Sequence, residues 1–218
     1  METGDLEKIY QRRFRHGMDF RKKMWQILCQ DFFQKYIPGD AVVLEIGAGY
    51  CEFINSVKAR HKIALDLNPD AAKFANKDIE VIISQSTNMS AIKDEFCDIV
   101  LASNFFEHLS KPDIKQTIKE AYRMLKKNGK FLILQPNIRF CYKDYWNFFD
   151  HITPLDDLSL MEILEIDGFK VTESRPKFLP YAVKSKLPKA FFLIRLYLRI
   201  PLLQYLFGKQ AFICAQKI

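Results

Sequence analysis

The sequence predicts an α/β fold organised on a parallel sheet, and three observations carry that expectation. Val42-Val43-Leu44-Glu45-Ile46 is a short apolar run with β-branched residues that stops at Gly47-Ala48-Gly49, as a buried strand does when it enters a tight turn. Further short runs at Lys62–Asp66, Ile79–Ile83, Cys97–Ala102 and Lys130–Gln135 repeat the strand pattern, with helical or turn-forming stretches between them. The second run ends in Asp66-Leu67-Asn68-Pro69, where Asn68 suits an N-cap and Pro69 the first helical position.

Taken in order, Asp5–Ile37 reads as one or two helices broken near His16-Gly17. Phe20, Met24, Ile27, Leu28, Phe32 and Tyr36 recur at helical spacing. Residues 1–37 then form either a helical layer packed on the sheet or a lid over a bound ligand. Pro38-Gly39 ends this segment. At the first strand, Gly47 and Gly49 permit a sharp turn and leave no Cβ in a ligand's way. The free N–H groups of a following helix would point back at that ligand. Glu45 places a carboxylate near the strand end, which suits a cationic ligand and repels phosphate. Glu52 stands where a dinucleotide fingerprint requires Gly or Ala, which argues against a nicotinamide oxidoreductase. Asp66, roughly 20 residues beyond the glycines, can accept hydrogen bonds from a ribose diol. After Cys97–Ala102 comes Ser103-Asn104-Phe105-Phe106-Glu107-His108-Leu109. A helix from Pro112 follows, closed by Asn128-Gly129, and then the fifth strand. Ile138–Thr153 is an aromatic-rich connection that includes His151. A helix near Leu155–Asp167, a sixth strand at Phe169–Glu173, an inserted segment at Arg175–Gln210 and a last strand at Ala211–Lys217 complete a single domain, 1–218.

Composition bounds the setting. At 218 residues and 49% hydrophobic, the chain supports one domain with a sizeable core and is no disordered protein. Its five cysteines are scattered and include no CxxC pair, which favours reduced thiols and a cytoplasmic setting over disulfides or zinc. The N-terminal stretch has no apolar signal core. The net charge of +7 is uneven: residues 169–218 hold 10 Lys/Arg against 1 Asp/Glu, whereas residues 38–168 hold 15 against 20. A basic C-terminal fifth points to a local anionic partner.

The strand, glycine turn and helix at 42–53, with "LDLNP" and "RMLKKNGKFLILQPN", resemble the class I S-adenosylmethionine-dependent methyltransferases of type 11/12 over about residues 40–175 and the last strand. The resemblance implies a Rossmann-like, seven-stranded, mostly parallel sheet with helices on both faces and the last strand antiparallel. It implies S-adenosylmethionine as cofactor, held by Glu45, Gly47, Ala48, Gly49, Asp66, Leu67, Gln85, Ser86, Ser103 and Asn104. Ser84-Gln85-Ser86 departs from the family's Gly-Asp-Ala, so Gln85 would meet the adenine through its carbonyl oxygen. "NFFEHL" resembles the Glu-His pair of quinone-type O-methyltransferases, so His108 and His151 are the candidate proton acceptors. Asn104 stands where metal-binding relatives carry a first glutamate, so no metal is expected. The Asn/Asp-Pro-Pro-aromatic turn of amino-methylating nucleic-acid enzymes is missing, and no nucleic-acid substrate is expected. Pro136-Asn137, Tyr145–His151 and Phe178–Tyr181 resemble methyltransferases that accompany glycosyltransferases, which implies a small-molecule, sugar or lipid-linked glycan acceptor. A non-catalytic adenosyl-ligand binding protein is the alternative.

Ala190–Phe207 is nearly all apolar, with Arg195 and Arg199 on one face, Lys184, Lys186 and Lys189 upstream, and Pro201 within it. It reads as an interfacial helix on an anionic membrane through 184–207, peripheral to the inner face, or as a substrate lid or homodimer surface. Two arginines four residues apart would avoid burial unless carboxylates met them, and residues 169–218 offer only Glu173.

Overall fold

The computed structural model describes residues 17–181 and 190–218. The proposed break at His16, the segment before it and the three lysines at 184, 186 and 189 lie outside the described residues. The elements run α1 (Met18–Asp31), β1 (Val42–Ile46), α2 (Glu52–Ser56), β2 (His61–Asp66), α3 (Ala71–Phe74), β3 (Ile79–Ile83), β4 (Cys97–Ser103), α4 (Lys111–Met124), β5 (Leu125–Pro136), α5 (Ile138–Tyr145), α6 (Asp157–Ile166), β6 (Phe169–Leu179), α7 (Phe191–Arg199), α8 (Pro201–Phe207) and β7 (Gln210–Lys217). Short 3-10 turns lie at Phe33–Tyr36 and Phe106–His108.

The seven strands form one sheet in the order β3-β2-β1-β4-β5-β7-β6. Strands β1 to β5 pair in parallel, and β7 runs antiparallel to both β5 and β6. This is the Rossmann-like sheet expected, with the last strand reversed. Because a strand's side chains alternate between faces, the sheet divides the core in two. Val43, Ala64, Leu101, Leu132, Leu134 and Phe212 face α1, the first 3-10 turn and α2. Val42, Leu44, Ile46, Ile63, Val100 and Ile133 face α4 and α6. The strand order reverses between β1 and β4, whose carboxyl ends therefore open the crevice in which such sheets bind ligands.

Three boundaries differ from expectation. Helix α4, capped by the Ser110 hydroxyl on the Asp113 N–H, ends at Met124 and not at Asn128-Gly129. The chain passes straight into β5, and the irregular pairing between Cys97 and Ile99 absorbs residues 126–129, with Asn128 left-handed at φ 64°. Strand β6 continues beyond Glu173 to Leu179, paired with β7, so the inserted segment begins after it and not at Arg175. The connection after β5 contains α5, whose N-terminus is capped by Asn137.

Arg195 is also met by a carboxylate. Its Nη1 donates to both oxygens of Asp31 at 2.7 Å, and its Nη2 donates to Gln30 at 3.0 Å. The charge count over residues 169–218 missed this partner because it comes from α1. The same helix stacks Phe20 on Phe191 at 5.5 Å. At the centre of the first core, Phe212 is fully buried among the rings of Phe32, Phe33, Tyr36 and Phe178. Replacing it with alanine deletes most of these contacts and leaves a cavity between α1 and the sheet. Urea denaturation of Phe212→Ala should show a loss of about 3–5 kcal/mol.

Candidate functional site

The glycine corner is tied down by β2. The N–H groups of Gly47 and Ala48 both donate to Leu65 O, at 2.8 and 3.1 Å, and Gly49 N–H donates to Asp66 Oδ2 at 2.7 Å. Gly47 and Gly49 adopt φ of 67° and 50°, left-handed values that other L-residues reach at a cost of roughly 1–2 kcal/mol. The Phe105 ring covers Gly47 so closely that a Cβ there would fall inside it. The N–H groups of Gly47, Ala48 and Gly49 are therefore spent on β2 and not held free for a ligand. Helix α2 has only five residues, and its Ile54 N–H donates to Glu45 Oε2 at 3.1 Å.

Glu45 is thus turned into the strand–helix packing, where it satisfies a donor at the helix start. It is 5% exposed, and burial pushes its carboxyl well above the ordinary carboxylate range, with Glu52 and Asp66 adding smaller like-charge effects. Glu52 is paired instead with Arg21 of α1, whose Nε and Nη2 lie 2.8 and 2.7 Å from Oε1. The Arg21 guanidinium also lies over the Tyr50 ring at 4.9 Å. Asp66 sits at the end of β2, its Oδ1 accepting from Asn68 N–H at 2.8 Å. Each carboxylate oxygen keeps a further lone pair, which leaves the diol-binding role chemically open. Burial raises the Asp66 carboxyl as well. Leu67 beside it is exposed.

Strand β3 brings Ser84 against Asp66, with Ser84 N–H donating to Asp66 O at 3.0 Å. The exposed Gln85 lies next in the chain. Ser86 departs from the group: it is buried, and its hydroxyl pairs with Thr117 of α4 at 2.8 Å. Ser103 and Asn104 lie at the end of β4, next to β1 through the register Ile46↔Ala102. Asn104 is left-handed at φ 48°, and its N–H donates to Leu134 O at 2.7 Å.

His108 and His151 come together. Their ring centroids are 5.2 Å apart, because Ile152 and Thr153 both donate backbone N–H groups to Glu107 O, at 2.7 and 3.2 Å. Tyr145 Oη then donates to Thr153 O at 2.6 Å. His151 stacks on Phe148 and is 8% exposed, whereas the His108 side chain is 26% exposed. His108 Nδ1 lies 3.1 Å from the Asp150 carbonyl and 3.3 Å from its carboxylate. Both partners are acceptors, so the proton sits on Nδ1 and the Nε2 lone pair is left as the base.

Three residues join this cluster that sequence reasoning did not assign: Glu107, Asp150 and Gln135. Glu107 is 2% exposed and accepts from Gln135 Nε2 at 3.1 Å, and burial raises its carboxyl with His108 opposing. Gln135 was recognisable as the one polar residue in the apolar run Phe131–Pro136. The five cysteines are free and buried, and burial pushes the thiols of Cys51, Cys97 and Cys141 up to about 12, which removes thiolate chemistry from the site.

Residues 44–133 match the family model described as a methyltransferase domain. The solved structure of a SAM dependent methyltransferase from Archaeoglobus fulgidus superposes with a TM-score of 0.70 at 24% identity, covering 94% of this chain and 99% of that one. The [4+2]-cyclase SpnF shares the fold with a TM-score of 0.61 at 13% identity, covering 90% and 80%. In sequence, an uncharacterized protein of Methanocaldococcus jannaschii is 28% identical over 68% of this chain. A ubiquinone/menaquinone biosynthesis C-methyltransferase of Rickettsia felis is 29% identical over 56% of it. The chain spans 64% and 56% of the length of those two curated relatives. Residues 44–133 thus match a methyltransferase domain, and the chain shares the fold of S-adenosylmethionine-dependent methyltransferases.

The Glu45 arrangement yields a pH signature. A buried carboxyl raised by desolvation favours folding only while protonated. Its stabilising contribution is complete below the unfolded-state value of about 4.3 and is lost as pH rises through the higher folded-state value. Glu45→Gln keeps an acceptor for Ile54 N–H and has no charge to bury. Thermal melts should show wild type and variant close together near pH 4 and the variant increasingly the more stable towards pH 8. A constant difference across that range refutes the assignment.

Proposed function

We propose that this protein transfers a methyl group from S-adenosylmethionine to a hydroxyl oxygen of a small-molecule, sugar or lipid-linked glycan acceptor. The observation that carries this reading is the Asp150–His108 arrangement at the carboxyl ends of β4 and β5, a base held in one tautomer by a neighbouring carboxylate.

The residues fit the cofactor. The left-handed glycine corner, the Asp66 carboxylate with lone pairs to spare, and the exposed Leu67 and Gln85 at adjacent strand ends would hold its ribose and adenine. Gly47, Ala48 and Gly49 would form the floor, with Ser103 and Asn104 at the β4 side. When bound, the cofactor supplies an electrophilic methyl carbon on a sulfonium leaving group. The chain's own part is alignment and proton removal. His108 Nε2 takes the acceptor's proton, and Asp150 steadies the positive charge that develops on the ring. The buried His151, stacked on Phe148, lines this side of the crevice and is the weaker candidate for the base. Carbon acceptors, which the name of the Rickettsia felis relative implies for that protein, would use the same base.

A lipid-linked acceptor is supported by the exposed apolar side chains of α7 and α8, with Phe192 68% and Leu202 63% exposed. The pairing of Arg195 with Asp31 leaves Arg199 as the exposed basic residue of α7, which weakens the case for an anionic membrane surface. Among the described residues no helix is long and apolar enough to cross a membrane.

The fold alone does not settle turnover, since the cyclase shares it, so binding and catalysis are tested separately. Calorimetry with S-adenosylhomocysteine should show binding by wild type, reduced at least about tenfold in Asp66→Ala through the loss of two charge-assisted hydrogen bonds, and abolished in Gly47→Ala. On an acceptor found by comparing cell-envelope glycans and lipids with and without the protein, His108→Ala should lower kcat by about 10²–10⁴. Asp150→Asn should shift the pH profile of kcat. Binding without any methylated product leaves the non-catalytic ligand-binding alternative; wild-type turnover by His108→Ala assigns the base elsewhere.

A further inference from the structure

We propose that Thr153, held in turn by Tyr145, is a positioning residue that fixes the orientation and tautomer of the His108 imidazole. This inference rests on reading His108 as the base of methyl transfer, and it adds two residues that act through that base.

The need for such a residue follows from the local backbone. His108 closes a short 3-10 turn, Phe106–His108, and α4 begins afresh beyond the Ser110 cap. Within the turn, His108 N–H donates to Phe105 O and Leu109 N–H to Phe106 O, each at 3.1 Å. So short a turn is weakly held by its own bonds, and the carbonyls at its end need partners from elsewhere. Thr153 supplies them on both sides of the histidine. Its N–H donates to Glu107 O at 3.2 Å, and its hydroxyl donates to Leu109 O at 2.6 Å. Its own carbonyl accepts from Tyr145 Oη at 2.6 Å. Thr153 is 5% exposed, and all three of its polar groups serve this bracket.

The residue types suit the task. A β-branched side chain is stiff at χ1, so the Thr153 hydroxyl keeps its aim. Tyr145 is fully buried, and burial pushes its hydroxyl above the ordinary phenol range, which keeps it a donor. The Tyr145 ring lies 4.5 Å from that of His151. The excursion that carries these residues is closed at its base by Ile138 N–H donating to Leu155 O at 3.0 Å. Asp150, on the same excursion, thereby meets His108 Nδ1 with its carbonyl at 3.1 Å and its carboxylate at 3.3 Å. Packing alone does not hold the ring, because the His108 side chain is 26% exposed. Glu107 Oε1 stands 3.9 Å from Nε2, too far to bond, and so does not compete for the proton. Loosening the bracket lets Asp150 move off Nδ1, and the free lone pair is then no longer confined to Nε2.

The test is nitrogen-15 spectroscopy of the histidine rings in full-length protein, which needs no acceptor. The His108 signal is assigned by its loss in His108→Ala and is recorded for the uncharged ring. Wild type should show the Nδ1–H tautomer. Thr153→Val, which keeps the shape and loses the hydroxyl, should move His108 toward the Nε2–H form that a solvated imidazole prefers, and Thr153→Ser should restore the wild-type pattern. Tyr145→Phe should move it in the same direction as Thr153→Val, and it carries the test if that variant does not fold. On an acceptor, Thr153→Val should lower kcat at least about tenfold, with the KM for the acceptor and the affinity for S-adenosylhomocysteine unchanged. An unchanged tautomer in the folded variants, no rescue by serine, or a wild-type kcat in Thr153→Val overturns the assignment. Wild-type turnover by His108→Ala refutes the base reading instead, and the tautomer measurement separates that failure from a failure of the bracket.

Discussion

The site depends first on how β2 holds the turn that follows β1. A chain leaving a buried parallel strand through two left-handed residues has backbone donors that must be satisfied away from water. Here the carboxyl end of β2 satisfies them, with Leu65 O taking two N–H groups and Asp66 a third. On the proposed reading, the same Asp66 carboxylate would also bind a ribose. One side chain therefore sets the shape of the cofactor corner and presents the contact that would recognise its ligand. The left-handed backbone at Gly47 and the Phe105 ring over it make that geometry intolerant of other residues at position 47.

Three carboxyl groups near the crevice, those of Glu45, Asp66 and Glu107, are all raised by burial. Perturbed acids gather where a fold accepts a desolvation cost for a purpose. Their partners separate the purposes. Glu45 meets a helix N–H, which is a structural task. Asp66 meets two backbone N–H groups and retains acceptor capacity. Glu107 meets an amide and, at a distance, a histidine, and so has the least compensation of the three. Glu107 therefore favours its neutral form beside two imidazoles, in contrast to a surface carboxylate.

What the sequence made legible follows the range of the interactions involved. The sheet, the glycine corner and Asp66 were readable because apolar runs, glycines and strand-end acids are local signals. Ser86 was misplaced because a hydroxyl in a loop gives no sign of turning inward to Thr117. Glu45 shares the parity of Val43 along β1, so its burial was implied by the strand's alternation, yet its partner Ile54 N–H belongs to the next element. The meeting of Glu107, His108 and His151 has no local signature. It is made by two backbone bonds from Ile152 and Thr153 to Glu107 O, between segments far apart in the sequence. Glu107 therefore stood in view within the Glu-His motif without a partner to give it a role.

The same logic explains why counting charges over the C-terminal fifth misdirected the reading of α7. A window of sequence registers only the charges inside it, whereas a folded chain draws counter-ions from wherever the topology brings them. Asp31 of α1 supplies the carboxylate for Arg195, and Phe20 of the same helix stacks on Phe191. Helix α1 also carries Arg21, which grips Glu52 at the start of α2 and lies over Tyr50 in the cofactor corner. Helix α7 and the start of α2 beside the glycine turn are thus attached to one helix through residues as close as Phe20 and Arg21. Arg195, one of the basic residues that first suggested an external partner, serves with Arg21 to hold that helix in place. What remains for a partner on this side is the apolar surface of Phe192, Leu202, Tyr205 and Leu206, whose recognition would rest on area and shape more than on charge.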